Sequence, residues 1–262
     1  MKYLYLFLTT FAILWNTGSE AQVPDGFIID SVIRTDPAQQ IAMVSIPLRL
    51  FSEIVPDILI AEGTALTNSQ FAERSDALVA INGSFFNTKT YEMVTYYEND
   101  NTVLSRNARS DGPSLFNGII IIDRDDNLRL QPFQQEEAYE ISLMEKEALV
   151  SGPMLLEGGN RSVLPERPAF VNKRHPRSCL CTTEEALILV AVDGRRDTAS
   201  GMTLPELQEF LLEAGCKDAI NLDGGGSTSL WVKGMGVINT PSDTTGERAV
   251  VNVLVILPKT KD

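Results

Sequence analysis

The stretch Asn221-Leu222-Asp223-Gly224-Gly225-Gly226-Ser227-Thr228 places a carboxylate directly before three glycines and follows them with hydroxyls. Glycine costs backbone entropy and gives packing nothing, so three in succession answer a geometric demand. A flexible linker would be polar on both sides. Here Ala219–Leu222 leads in as a short apolar strand and Ser229–Val232 leads out as another, which pins the turn at both ends. A pinned glycine turn can bring backbone N–H groups close to an anion. Strand alternation puts Asn221 and Asp223 on one face. An acid, an amide, hydroxyls and a backbone nest together suit a sugar or a phosphate.

Three further stretches join an apolar strand to a polar end. Ile81-Asn82-Gly83-Ser84-Phe85-Phe86-Asn87 taken alone reads as a turn with two core phenylalanines. Lys173, Arg174, His175 and Arg177 form the densest cationic cluster and contain the single histidine. An arginine fork grips either a structural carboxylate or a phosphate, and the cluster allows both. Val192-Asp193-Gly194-Arg195 ends a strand on an acid, for which a salt bridge to the adjacent arginines is the alternative use. There is no His-rich or Cys-rich metal motif, and the Asp223 stretch is not by itself the two-carboxylate signature of a glycosidase. Asp123, Asp125 and Asp126 read as a solvated turn before they read as a Ca²⁺ site. The reading calls for no metal and no cofactor.

Positioning these groups falls to a chain rich in short strands. Phe27–Arg34 and Gln40–Pro47 pair around Thr35-Asp36-Pro37, and Ala77–Ile81, Gly118–Asp123 and Val250–Leu257 read as buried strands. Ser178–Thr182 and Ala186–Asp193 form a hairpin across Thr183-Glu184-Glu185. Thr67–Ser75 and Leu204–Ala214 read as helices, Glu136–Met144 as a weaker one. Leu204–Ala214 is the clearest, with Thr203 as cap, Glu206 three residues on, Pro205 in the first turn and Gly215 as the stop. Its apolar residues Leu204, Leu207, Leu211 and Leu212 make one stripe. Residues 91–109 read as a surface loop or flap, and Gly158–Phe170 as a loop. The expected fold is a mixed α/β (α+β) single domain: a strand-rich mixed sheet, largely antiparallel, with a few flanking helices.

The chain has 262 residues and a net charge of −13. Such a charge repels nucleic acid and anionic membrane surfaces, so neither is an expected partner, although a local cationic pocket can still hold an anion. Residues 1–22 read as a cleavable signal peptide: Lys2, an apolar run from Tyr3 to Trp15, and small residues at Ser19 and Ala21. The run is too short to span a bilayer comfortably, and no later stretch approaches that length. The expectation is a secreted or periplasmic protein, cleaved near residue 21, with no integral membrane segment in the mature chain. Cys179, Cys181 and Cys216 suit an oxidising compartment. They leave open a bond from Cys179 or Cys181 to Cys216, or three buried thiols.

Taken together, the four stretches resemble the phosphodiester glycosidase family from about Ala77 to Leu257. The most specific element is Asn221–Ser227, flanked by Pro241-Ser242-Asp243 and Gly246-Glu247-Arg248. Asn82–Phe86, Ser151-Gly152-Pro153, His175–Ser178, Asp193-Gly194-Arg195 and Gly201-Met202-Thr203 follow the family's order. Ser84, where the family often has glycine, and Cys179 and Cys181, where it has small residues, are departures. The resemblance implies a domain over residues 77–262, with strands and a helix of residues 23–76 packed on it. It implies hydrolysis of a sugar-1-phosphodiester, or a phosphorylated glycan, at the anomeric carbon. Asp223, Asn221 and Asp193 are the expected catalytic set. Arg174, Arg177 and the Gly224–Gly226 backbone are expected on the phosphate, and Asn82, Asn221 and Thr228 on sugar hydroxyls. Gly83, Phe86, His175, Arg195, Ser227, Ser242, Asp243 and Arg248 complete the expected substrate-binding set. The competing readings are a phosphodiesterase that cleaves P–O and a non-catalytic secreted glycan-binding protein.

Overall fold

The computed structural model describes residues 23–107 and 115–259. The expected leader, residues 1–22, and the last two residues of the expected 91–109 flap lie outside the described residues. The fold is a strand-rich α+β domain in which the strands form three sheets, with every described pairing antiparallel.

The first sheet has seven strands, in the order Ile28–Thr35, Ala38–Pro47, Ala186–Val192, Arg177–Thr182, Asp218–Asn221, Met154–Glu157 and Asn160–Arg161. The second has five, in the order Gly236–Val237, Leu230–Val232, Val79–Asn82, Asn252–Pro258 and Ile54–Ile60. The third also has five, in the order Thr102–Ser105, Tyr97–Asn99, Glu145–Ser151, Gly118–Asp123 and Leu128–Pro132.

Period-two alternation decides what each sheet face meets. Leu180, Leu189 and Ile220 of the first sheet, Ile81 and Leu254 of the second, and Ile120 and Leu149 of the third share one central core. The intervening residues face outward onto smaller cores. Cys179, Cys181 and Val190 pack under the helix Leu204–Glu213. Ala80, Val253 and Val255 pack under the helix Asn68–Ser75. Ile119, Ile121 and Val150 pack against Tyr96 and Tyr139.

Both longer helices open on a capping box, Thr67 with Gln70 and Thr203 with Glu206, so two backbone donors at each start are satisfied reciprocally. Gly215, at φ +81°, follows the second helix where the chain must turn left-handed. The Cys181–Cys216 disulfide fastens the end of this helix to the first sheet, and Cys179 remains a buried thiol.

The 91–109 segment departs from its reading as a flap. Tyr97–Asn99 and Thr102–Ser105 form a hairpin in the third sheet, and Tyr96 and Tyr97 are fully buried. A register shift between Tyr97 and Glu98 breaks the alternation that would have marked the strand. The 158–170 loop likewise carries the two-residue strand Asn160–Arg161 and the start of the short helix Pro168–Val171. No helix among the described residues is long and apolar enough to cross a membrane.

Candidate active site

Strand ends of the first and second sheets meet along one edge. The partners Arg177 with Val192, Cys179 with Asn221, and Asn82 with Val253 set those ends level. Asp223 is hooked onto this edge by both backbone groups. Its N–H donates to the Gly83 carbonyl at 3.0 Å, and its carbonyl accepts from Asn82 Nδ2 at 2.6 Å. The carboxylate accepts the Gly224 N–H at 2.9 Å, while the residue keeps part of its surface open. Burial pushes the carboxyl up to about 6, against the pull of the Ser227 hydroxyl, the Gly224 N–H and the Arg248 charge. At pH 7 it is a partly accessible carboxylate whose charge is incompletely compensated.

The three glycines answer three different neighbours. A Cβ on Gly224 would stand 2.8 Å from the Pro176 carbonyl oxygen. A Cβ on Gly225, whose φ is +62°, would stand 2.8 Å from the Arg195 guanidinium. A Cβ on Gly226 would overlap Arg248 and the Asp243 carboxylate. The run thus admits two guanidinium groups against its backbone, beside Asp223. The three-donor nest does not form: the Gly224 N–H goes to Asp223 and the Gly225 N–H to the Pro176 carbonyl at 3.0 Å. The Gly226 N–H has no partner among the described residues.

Of the cations, Arg195 and Arg248 are the ones brought to the glycine turn. Arg195 is exposed and has no hydrogen bond or ion pair among the described residues. Arg248 forks onto Asp243, Nε to Oδ2 at 2.8 Å and Nη2 to Oδ1 at 3.1 Å. That pair leaves Asp243 as a holder of Arg248. The expected phosphate ligand Arg177 is elsewhere. It is 1% exposed, donates to the Met202, Phe170 and Lys173 carbonyls, and lies 4.9 Å from the Phe170 ring centroid. Burial draws it down to about 10. Its side chain lies on the face of Cys179 and Cys181, where those three carbonyls and the Phe170 ring hold it. Arg174 points to the surface and pairs with Glu206, the capping residue of the adjacent helix. His175 is half-buried with Nε2 3.2 Å from the Ala169 carbonyl. Burial, reinforced by Arg177, Arg195 and Lys173, holds its imidazole below the usual range and therefore neutral at pH 7.

Several expected ligands turn out to be braces. Asn82 is 1% exposed, and its Oδ1 accepts from Ser178 Oγ at 2.6 Å and the Ser229 N–H at 3.2 Å. With Nδ2 on Asp223, it ties the glycine turn's entry and exit to the neighbouring strands, and at 1% exposure it is a brace rather than an open ligand. Gly83 has no side chain because a Cβ would overlap Asn252. Ser84, one of the two departures noted above, is buried and donates to the Val150 carbonyl at 2.7 Å. Asn221 is fully buried, with Nδ2 on the Gly152 and Leu222 carbonyls at 2.9 and 2.7 Å. Asp193 is 4% exposed and accepts the Thr240 N–H at 2.8 Å and Asn239 Nδ2 at 3.2 Å. Burial raises its carboxyl, and these donors pull the other way. Asp193 therefore tethers the segment leading to Ser242 and Asp243, and Asn221 shapes the strand beneath Asp223. Both are positioning residues.

Phe86 is a core residue, 9% exposed among Phe71, Trp231 and Val253. Its neighbour Phe85 is the one that stays partly open, 5.2 Å from the Phe116 ring and 6.2 Å from the Phe170 ring. Alternation carried past Asn82 would have separated Phe85 from Ser84 and Phe86, which go inward. The Thr228 and Ser242 hydroxyls are buried with no partner among the described residues, as is Asn221 Oδ1. Ser227 stands beside the Asp223 carboxylate. Among the described residues no group of three or more His, Cys, Asp or Glu side chains could hold a metal ion, and Asp123 instead closes its own turn on the Asp125 and Asn127 N–H groups.

The family model for phosphodiester glycosidase matches residues 75–257, well over half of the sequence and all of this site. The chain belongs to the phosphodiester glycosidase family. Curated relatives agree in part of their length. N-acetylglucosamine-1-phosphodiester alpha-N-acetylglucosaminidase of Bos taurus is 29% identical over 213 residues, covering 75% of this chain and 39% of its own. An uncharacterized SPbeta-prophage-derived protein of Bacillus subtilis is 40% identical over 89 residues, covering 34% of this chain and 14% of its own. The chain thus spans less than half the length of these two relatives. Among solved structures, the zebrafish N-acetylglucosamine-1-phosphodiester alpha-N-acetylglucosaminidase catalytic domain, auto-inhibited by its pro-peptide, superposes with a TM-score of 0.71. It covers 92% of this chain and 86% of its own at 21% identity, which is a likeness of fold.

Proposed function

We propose that this phosphodiester glycosidase family member is a hydrolase of sugar-1-phosphodiesters. Water replaces the phosphate at the anomeric carbon, the C1–O bond breaks, and a free sugar and a phosphomonoester leave. The observation that carries this reading is a half-buried aspartate followed by a glycine turn that seats two guanidinium groups only glycine would admit. The departing phosphomonoester is already a competent leaving group, so the reaction needs little general-acid help. It needs cations on the phosphate and negative charge beside the developing sugar cation. Arg195 supplies an uncommitted cation, Arg248 a second one oriented by Asp243, and the Gly226 N–H a neutral donor. Asp223 faces the anomeric carbon and either stabilises its positive charge or takes a proton from water. The names of the bovine and zebrafish relatives support N-acetylglucosamine as the sugar to try first.

The test is incubation with N-acetylglucosamine-1-phosphodiesters and analogues, with products resolved by mass. Free sugar plus phosphomonoester supports glycosidic cleavage; sugar-1-phosphate would establish P–O cleavage instead. Glycan binding without release from any diester would establish a binding protein. We also infer export, with residues 1–22 as the leader; the Cys181–Cys216 pairing supports an oxidising destination. N-terminal sequencing of the exported protein tests cleavage near residue 21.

A further inference from the structure

Phe85 is a large apolar side chain that joins none of the four packed cores, although both of its chain neighbours are buried. It projects from the same turn that holds Asp223, two residues beyond the Gly83 carbonyl that accepts the Asp223 N–H. Phe170 reaches the same place from another element. Its ring lies 6.2 Å from Phe85, and the Arg177 guanidinium lies 4.9 Å from its centroid. Phe116 backs Phe85 at 5.2 Å. The rings are tilted to one another and partly open. A partly open aromatic wall beside a few placed polar groups is how small-ligand sites are built.

The two sets of groups approach Asp223 from different elements. Arg195 and Arg248 lie against Gly225 and Gly226, on the chain leaving Asp223. Phe85 extends from the turn to which the Asp223 backbone is hooked. A carboxylate that serves the anomeric carbon has phosphate on one side and the pyranose on the other. With the cations taking the phosphate, the aromatic side is left for the sugar.

We propose that Phe85, buttressed by Phe170, is the platform on which the pyranose ring stacks, and that it selects sugars by the orientation of their hydroxyls. This rests on the reading of the site as one for a sugar phosphodiester. A phenylalanine ring offers a hydrogen-bond-free π face, which attracts the partly positive axial C–H groups of a sugar. Gluco-configured rings, with the hydroxyls at C3 and C4 equatorial, present an unbroken C–H face on the side away from an axial phosphate. With an α-linked phosphate axial on one face, the platform takes the opposite face, on which the C4 hydroxyl of the galacto series is axial and would be pressed against the ring without a partner, a costly burial of a polar group. The site therefore prefers gluco- to galacto-configured 1-phosphodiesters.

The experiment compares the wild type, Phe85→Ala and Phe85→Leu on matched N-acetylglucosamine and N-acetylgalactosamine 1-phosphodiesters, with inorganic phosphate as a competitive probe. The expected result is a kcat/KM preference of about tenfold or more for the gluco substrate, which one misplaced polar group can produce. Phe85→Ala should remove that preference and raise KM, with inhibition by phosphate unchanged. Phe85→Leu keeps apolar bulk without the π face and should show the same loss, so it decides the matter if the alanine variant fails to fold. Equal use of both epimers by the wild type, or an unchanged preference in Phe85→Leu, overturns the proposal. If the wild type turns over no sugar diester, the hydrolase reading falls, and saturation-transfer NMR with methyl N-acetylglucosaminide decides the platform. Transfer to the ring C–H protons that vanishes in Phe85→Leu upholds it; its absence in the wild type overturns it.

Discussion

Burial lifts three carboxyl groups among the described residues, and two of them, Glu147 and Asp223, have nothing else in common. Glu147 in the third sheet is 1% exposed and pushed up to about 9 by burial, with the Asp57 charge beside it adding to the effect. It accepts the Ile58 N–H at 2.9 Å, Asn99 Nδ2 at 2.9 Å and the Tyr97 hydroxyl at 3.3 Å. Every donor comes from the protein, the surrounding strands close over it, and it is neutral at pH 7. Asp223 is raised only to about 6, belongs to a half-buried residue, and has the Arg248 charge within reach. A carboxyl raised chiefly by desolvation therefore does not by itself mark a site. What separates the site from the strut is partial exposure, an incompletely compensated charge, and two guanidinium groups held at the glycine turn.

Substitution of each group sharpens that contrast. Asp223→Asn keeps the shape and removes the charge, and kcat should fall on the order of ~10²-fold or more with little change in melting temperature, as for loss of a preorganised electrostatic group. Near-normal turnover in a folded Asp223→Asn protein would break the comparison, leaving Asp223 as a second strut. Glu147→Ala should do the reverse. Buried donors lose their acceptor, stability drops by about 1–3 kcal/mol by urea titration, and kcat of the folded enzyme stays unchanged.

The arginines repeat the division. Arg177→Ala should lower stability by about 1–3 kcal/mol, because three carbonyls lose a buried donor, while the folded fraction keeps its phosphate affinity. Arg195→Ala should leave melting untouched and raise both KM and the inhibition constant of inorganic phosphate by about tenfold, since the contact exists in the ground state. An Arg177 variant that keeps its stability but loses phosphate affinity would reverse the two assignments.

The smallest effects are in pH. For catalysis, the ionised form of Asp223 is the active one, so kcat/KM should rise as pH rises through about 6, an inflection absent in Asp223→Asn. For stability, the sign follows from Glu147 holding its proton longer when folded. Its folded pKa of about 9 lies above the ordinary 4.5, so its contribution is complete below about 4.5 and is lost as pH rises through about 9. In Glu147→Gln that part of the pH dependence of the urea midpoint should vanish, with the activity profile unmoved.

How much of this was legible in the sequence follows the range of the forces involved. Thr203 with Glu206 and Thr67 with the helix after it are local signals, and both helices start where those residues place them. The alternation of Ser178–Thr182 and Ala186–Asp193 likewise yields the observed hairpin. The Asp223 stretch could be singled out because glycine has no bland use between two buried strands. The roles of Arg174, Arg177 and Arg195 could not. Which cation is buried depends on the helix Pro168–Val171 folding over Arg177 and on Glu206 reaching Arg174. Those are long-range contacts with no echo in spacing. Phe85 and Phe86 were separable by alternation, but only once the strand was known to run past Asn82. Asn82 looked like a ligand because buried braces and exposed ligands draw on the same side chains.

The glycine triplet also forecasts how the site can drift. The three positions are barred to side chains by obstacles of unequal stiffness: a backbone carbonyl at Gly224, one long exposed arginine at Gly225, and a clamped ion pair at Gly226. Among descendants of this chain, Gly224 can change only if the backbone around Pro176 is rebuilt, which point substitution does not do. Gly226 can change only together with Arg248 and Asp243, as a linked set. Gly225 is the one position with an exit, because Arg195 can swing aside and asparagine tolerates a left-handed backbone. A lineage that replaces Gly225 gives up the seat of its free cation while keeping the fold. Relatives that have abandoned phosphate should therefore be recognisable by the middle glycine first.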